Sequence, residues 1–380
     1  MNARPDHNLW WSPTQNPEAA GLFALLSAVS LLRGQAPSGK EKHLLYVASP
    51  GIRNYVEYGG VGVLVFDIDD GFRFVKRIPT WDVAPGQMPE NVKGIAASAK
   101  TGRVYVTTIN RMMALDAVTG KRLWDKAYDG GCDRLAVSPD GKTLYVPQFE
   151  RDLWHIVDAA TGAVITKIET KSGSHNTICS LDGTRVYLAG LRSPLLSVAD
   201  TKGEVSTVGP FSNVIRPFTI NGSNTLCFVN VNGLLGFEVG DLRTGQKLYR
   251  VEVQGYQQGP VKRHGCPSHG IALTPDEKEL WVVDGANNAV HVFDSTVMPP
   301  RQTSSVTLRD SPGWISFSMD GRYAYSSTGE IIDAASKKIV AALQDEAGRQ
   351  VQSEKMLDLA IANGRVVRAG NQFGVGMKPK

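Results

Sequence analysis

Lys93, the pair Asp133-Arg134, the pair His175-Asn176, Arg216 and His269 recur every 40 to 54 residues or so along a chain of 380. Residues of these types can hold an anion and move a proton. Arg offers a planar fork for a carboxylate, Lys a point charge, and imidazole titrates near neutrality. A second concentration lies in QGYQQGPVKRHGCPSHG, residues 254–270, which carries Tyr256, Lys262, Arg263, His264, Cys266 and His269. His264-x-Cys266-x-x-His269 places three soft or borderline ligands within six residues, enough for zinc or copper chemistry, although no finger has this spacing. The chain lacks a Gly-x-Ser-x-Gly elbow, a Walker loop and a dinucleotide fingerprint, so neither serine nucleophiles nor nucleotides are supported.

The spacing follows from a repeat. Residues 134–168 read RLAVSPDGKTLYVPQFERDLWHIVDAATGAVITKI: four apolar strand-like runs, with a Pro-Asp-Gly turn after the first and a Thr-Gly turn before the last. Period-two runs broken by such turns are antiparallel hairpins, and four in a row form a meander. The pattern returns at residues 176, 270 and 314, and more weakly at 94, 216 and 357. Aligned on the end of the first strand, the copies give Ser98, Ser138, Ser180, Ile220, Thr274, Ser318 and Ile361. Units near 40 residues that cannot bury both sheet faces alone pack radially. The predicted fold is all-β, a seven-bladed β-propeller of four-stranded antiparallel blades. Strands at 44–48, 62–67 and 72–78 should complete a blade whose inner strand comes from the carboxyl end. The segment 365–369 also reads as a second-position strand and duplicates 44–48.

SPDGKTLYVPQFERDLWHIVDAATGAVITKI and TPDEKELWVVDGANNAVHVFD resemble the YVTN-type β-propeller repeat, and the likeness covers nearly all of residues 44–370. ALDAVTGKRLWD, residues 114–125, resembles a repeat of the pyrroloquinoline-quinone dehydrogenases. This superfamily includes lactonases, quinoprotein-like subunits, lyases and non-catalytic binding modules, so the resemblance implies a fold rather than an activity.

In a propeller the residues that open each inner strand ring one mouth of the central channel. The aligned copies put Lys93, Asp133, Arg134, His175, Asn176, Arg216 and His269 there, and the copy interval of 54 residues adds its excess just before an inner strand as a loop over the same mouth. Both histidines are thus expected at a solvated rim. Three readings follow. An enzyme acting on a small carboxylated or lactonised sugar derivative would use His175, His269, Arg216 and Tyr256 for catalysis, with Lys93, Asp133, Arg134, Asn176 and His264 binding the ligand. Resemblance to seven-bladed lactonases implies hydrolysis, and uronate elimination would use the same groups. A recognition module of the cell envelope would bind a small anion, a carbohydrate derivative or a protein partner and transform nothing. A metal or redox protein would use His264, Cys266 and His269; no cofactor is otherwise expected. His155 and His291 occupy equivalent third-strand places and read as packing residues.

Composition bounds these readings. The 42% hydrophobic content excludes a disordered chain, and a net charge of +4 with no Lys/Arg run excludes a nucleic-acid footprint. Four cysteines are too few for a disulfide scaffold. Residues 19–32 are an uncharged run of 14, too short to span a bilayer, followed by Gly34-Gln35-Ala36. Residues 1–36 are accordingly read as a signal peptide and 37–380 as one propeller domain, exported to the periplasm or beyond, with no transmembrane span.

Overall fold

Four of the seven inner hairpins are fastened by the same side-chain clasp. Ser138 Oγ donates to Asp140 Oδ1 at 2.5 Å, and the same contact recurs at Ser180–Asp182 (2.7 Å), Thr274–Asp276 (2.7 Å) and Ser318–Asp320 (2.6 Å). In each turn the aspartate also takes a backbone N–H two residues on, which fixes the bend locally. The alternating runs on either side then pair as antiparallel strands. The computed structural model describes residues 41–261 and 263–378, so the signal-peptide reading of residues 1–36 lies outside the described residues.

Those residues form seven sheets, six with four strands and one with five. Their inner strands are Val92–Ser98 (blade 1), Ala136–Val137 (blade 2), Ser174–Cys179 (blade 3), Ile215–Ile220 (blade 4), Ile271–Leu273 (blade 5), Ile315–Phe317 (blade 6) and Met356–Ala362 (blade 7). Each inner strand touches the next, and that of blade 7 touches that of blade 1, so the ring is closed. Apolar clusters lie between successive blades: Trp281 and Val283 against Ile315 and Phe317, for example, and Tyr46 and Val65 against Ile95 and Val106. The expected β-propeller is therefore the observed fold. No helix of the described residues is long and apolar enough to cross a membrane.

Blade 7 closes the ring with both ends of the chain. Lys42–Ser49 pairs with the inner strand in the register Lys42↔Ile361 to Val47↔Met356, followed outward by Gly62–Asp67 and Arg73–Ile78. Arg365–Ala369 does not compete for that place. It pairs with the opposite, inward edge of the same strand, Leu359↔Ala369 to Ala362↔Arg365. Asn363 and Gly364, at φ 51° and 70°, make the two-residue turn that sends it there.

Beyond Ala369 the chain runs through the channel. Phe373 and Val375 are buried among Ile178, Phe218, Ile220 and Trp314. Trp314 Nε1 donates to the Gln372 carbonyl at 2.5 Å, Thr219 Oγ1 and Leu273 N–H donate to that of Gly374 at 2.8 Å, and Gly376 N–H donates to Ile220 at 2.9 Å. This tail is a floor beneath the mouth ringed by the starts of the inner strands.

Candidate functional site

Residues at the starts of the inner strands meet above that floor. Asp133 and Arg134 stand just ahead of the inner strand of blade 2, His175 opens that of blade 3, and Lys93 that of blade 1. His175 Nδ1 donates to Asp133 Oδ2 at 2.6 Å, and Lys93 Nζ lies 3.6 Å from the same oxygen. The other imidazole nitrogen, Nε2, is left as an acceptor and faces Arg134 Nη1 at 3.4 Å. Arg134 lies over the Trp314 ring, 4.3 Å from its centroid, and its second amino group bonds the Glu354 carboxylate. Lys355 Nζ donates to the same carboxylate at 2.7 Å and to the Gly51 carbonyl at 2.8 Å. Glu354 and Lys355 immediately precede the inner strand of blade 7.

The long loop roofs this network. His264 brings Nδ1 to 2.8 Å from Glu354 Oε1, and its ring stacks on His269 with centroids 5.5 Å apart. His269 Nδ1 donates to the Gly313 carbonyl at 3.1 Å. A Cβ on Gly313 would stand 2.2 Å from the His264 ring, so only glycine admits the ring there. Arg216 donates to Asn232 Oδ1 at 2.6 Å and to the Gly265 carbonyl at 3.2 Å, while Arg53 donates to the Arg263 carbonyl at 3.1 Å. The expected solvated rim is thus a covered one: His175 and His269 are 4% and 8% exposed. The sequence could place the loop over the mouth but not how tightly it seals.

Burial sets the protonation states. It holds His175 down at about 4 against the pull of Asp133, and takes His269 well below the usual imidazole range. Both are neutral at pH 7 and accept rather than carry charge. Burial works against the Glu354 charge, but Lys355 and then Arg134 outweigh it and hold that carboxyl well below the usual range. The Lys355 amine is pushed by burial down to about 7. A cavity of about 260 Å³ remains above the network. It is lined by the cations Arg53, Lys93, Arg134, Arg216, Arg263 and Lys355, the imidazoles His175, His264 and His269, and the carboxylates Glu150 and Glu354.

Of the residues singled out in the sequence, Lys93, Asp133, Arg134, His175, Arg216, His264 and His269 come together here. Asn176 is fully buried beside His175, and neither atom of its side-chain amide has a hydrogen-bond partner among the described residues. Tyr256 stands elsewhere, its ring 4.5 Å from that of His291 on blade 5. Cys266 turns its thiol to the Ser268 carbonyl at 2.9 Å, and burial pushes that thiol up to about 12. Among the described residues, the three groups able to share an ion are His264, His269 and Glu354, so the set His264, Cys266, His269 is not the one that the geometry gathers. All four cysteines are free thiols.

A family model described as outer membrane protein assembly factor BamB, PQQ_2, matches residues 63–296. The chain belongs to this family. The match fits the quinoprotein-like resemblance of residues 114–125, while the YVTN-type repeat, a narrower name, stays a resemblance. No curated protein matches. Among solved structures, hydrazine synthase of Kuenenia stuttgartiensis is similar with a TM-score of 0.55 over 76% of this chain and 90% of that one, at 17% identity, a likeness of fold alone.

In this BamB-family propeller, a planar quinone of the kind the short family name evokes finds a poor fit. Among the described residues, Phe149 is the one benzenoid ring lining the cavity, with no second such ring there to sandwich a flat cofactor. Five charged lining residues were given no role by the sequence reading: Arg53, Glu150, Arg263, Glu354 and Lys355. Glu354 and Lys355 were within reach, since they lie two places and one place upstream of Met356, the residue aligned as the mouth position of the last copy. Arg263 was counted in the loop without a role. Arg53 lies outside every repeat, and no spacing points to it.

Proposed function

We propose that this protein is an exported propeller that captures a small carboxylated ligand, of the sugar-acid kind, in the cavity at the roofed mouth. One observation carries the reading. Arg53 and Arg216 line the cavity, yet both donate only to carbonyl and amide oxygens, with no carboxylate partner among the described residues. Two unneutralised guanidiniums on one small cavity favour an anion able to accept from both. The volume, about 260 Å³, suits a monosaccharide-sized ligand.

Binding is better supported than turnover. A general base needs a free lone pair within reach of substrate, and that of His175 already faces Arg134. Tyr256 packs on His291 and does not line the cavity. Lactone hydrolysis or uronate elimination by His175, His269 and Arg216 is therefore the second branch of the same test. A screen of uronates, aldonates, lactones and neutral sugars by thermal shift separates the readings, because a ligand at 100 times its Kd adds about 2.7 kcal/mol. Stabilisation by sugar acids without turnover is the expected result; stabilisation followed by product formation supports the enzyme, and no response to any anion removes the proposal. The family description, outer membrane protein assembly factor, favours a further reading in which the propeller docks a protein of the cell envelope. Export of residues 37–380 is common to all these readings.

A further inference from the structure

We propose that His264, His269 and Glu354 form a site for one divalent transition ion, zinc being the ion that it suits. The ligand atoms of the three residues lie within 4.8 Å of one another, and all three line the roofed cavity. Two imidazoles and a carboxylate are a borderline donor set, which selects zinc over calcium or magnesium. Three protein ligands facing a cavity also leave a coordination position open to a bound anion or water.

The surroundings are those of a metal site rather than of two packed histidines. His269 spends its Nδ1 proton on the Gly313 carbonyl, so Nε2 keeps its lone pair. His264 Nε2 lies 3.3 Å from the Ser311 carbonyl, which can only accept, so that nitrogen carries the proton. Its Nδ1 lone pair then faces a Glu354 oxygen at 2.8 Å. Two electron-rich atoms hold that separation only with a cation, a proton or a metal ion, between them. Anchoring each imidazole by a backbone carbonyl on its far nitrogen is how ligating histidines are commonly oriented. Gly313 supplies both features at once, a carbonyl for His269 and an open face for His264. Arg134 and Lys355 occupy the other Glu354 oxygen, which orients the carboxylate and, by repulsion, keeps the affinity for the ion modest.

Zinc binding does not depend on the sugar-acid reading and is measured without any anion of that kind. Titration calorimetry of zinc chloride into the chelator-stripped full chain should show one specific equivalent and a raised unfolding midpoint. His264→Ala and His269→Ala should each weaken uptake by about 10–100-fold, the scale on which even supporting residues of metal sites act, while Cys266→Ala leaves it unchanged. Gly313→Ala, which displaces the His264 ring without removing a ligand, should weaken it too. Circular dichroism establishes that each variant is folded. No uptake by the unaltered chain, unchanged affinity in both histidine variants, or loss in Cys266→Ala overturns the site; the first outcome would leave a proton holding His264 to Glu354. Uptake that persists in every variant lies elsewhere on the chain and equally overturns the proposal.

Discussion

Arg134 is the residue on which the mouth turns. Its guanidinium is 2% exposed and joins Glu354, His175 and the Trp314 ring in one network. Arg134→Met should cost about 3–5 kcal/mol in urea unfolding, because it leaves Glu354 buried with one cationic partner fewer. The contrast is Arg192–Asp152, a 2.5 Å pair with both side chains more than half exposed, where Arg192→Ala should cost less than about 1 kcal/mol. His175 adds a pH dependence of definite sign. Its folded value of about 4 lies below the ordinary 6.5, so the unfolded chain binds the proton first as acid is added. Its contribution is complete above 6.5 and is lost as pH falls towards 4, on the order of 3 kcal/mol in all. Unfolding midpoints of the native chain and His175→Gln, compared between pH 7 and 4, should converge as the pH drops; parallel curves would show that His175 is not held neutral.

The strands were most legible in the four blades whose inner turn carries Ser138-x-Asp140 or its counterparts, with the contacts seen between them. The tail was not. Asn363-Gly364 is a hairpin signal in plain view, but only the closed ring shows that the edge available to Arg365–Ala369 faces inward. Nor does any periodicity mark Phe373 and Val375 as channel residues, since what buries them is the ring rather than their neighbours in sequence. Deleting residues 371–380 should therefore lower the unfolding midpoint well beyond the effect of an ordinary frayed end. The burial of Phe373 and Val375 alone is worth about 1.5–3 kcal/mol each, and the Trp314 indole and Thr219 hydroxyl lose their acceptors. A midpoint within one degree of the full chain would mean that the floor is dispensable.

Over the whole molecule, the ring is held shut where the first and last strands share a sheet, and each inner strand depends on both neighbours. That closure brings residues more than 300 positions apart in the chain to one mouth: Gly51 accepts from Lys355. Repeat alignment found the side chains that recur, such as Asp133 and His175, because the blades impose the spacing. It missed Arg53, which the loop after the first strand delivers to the mouth only once the two ends have joined. The roofed cavity, with cations in excess and two guanidiniums free of carboxylates, is a property of the closed ring and the basis of the proposed function. The most direct test is calorimetric titration of glucuronate and of glucose into the native chain and into the Arg53→Gln/Arg216→Gln double variant. Glucuronate should bind the native chain, glucose should not, and the double variant should bind glucuronate at least about tenfold more weakly, since each charge-assisted contact is worth about 1.5–3 kcal/mol. Equal binding of acid and neutral sugar, or a double variant as tight as the native chain, would contradict an anion site at this mouth.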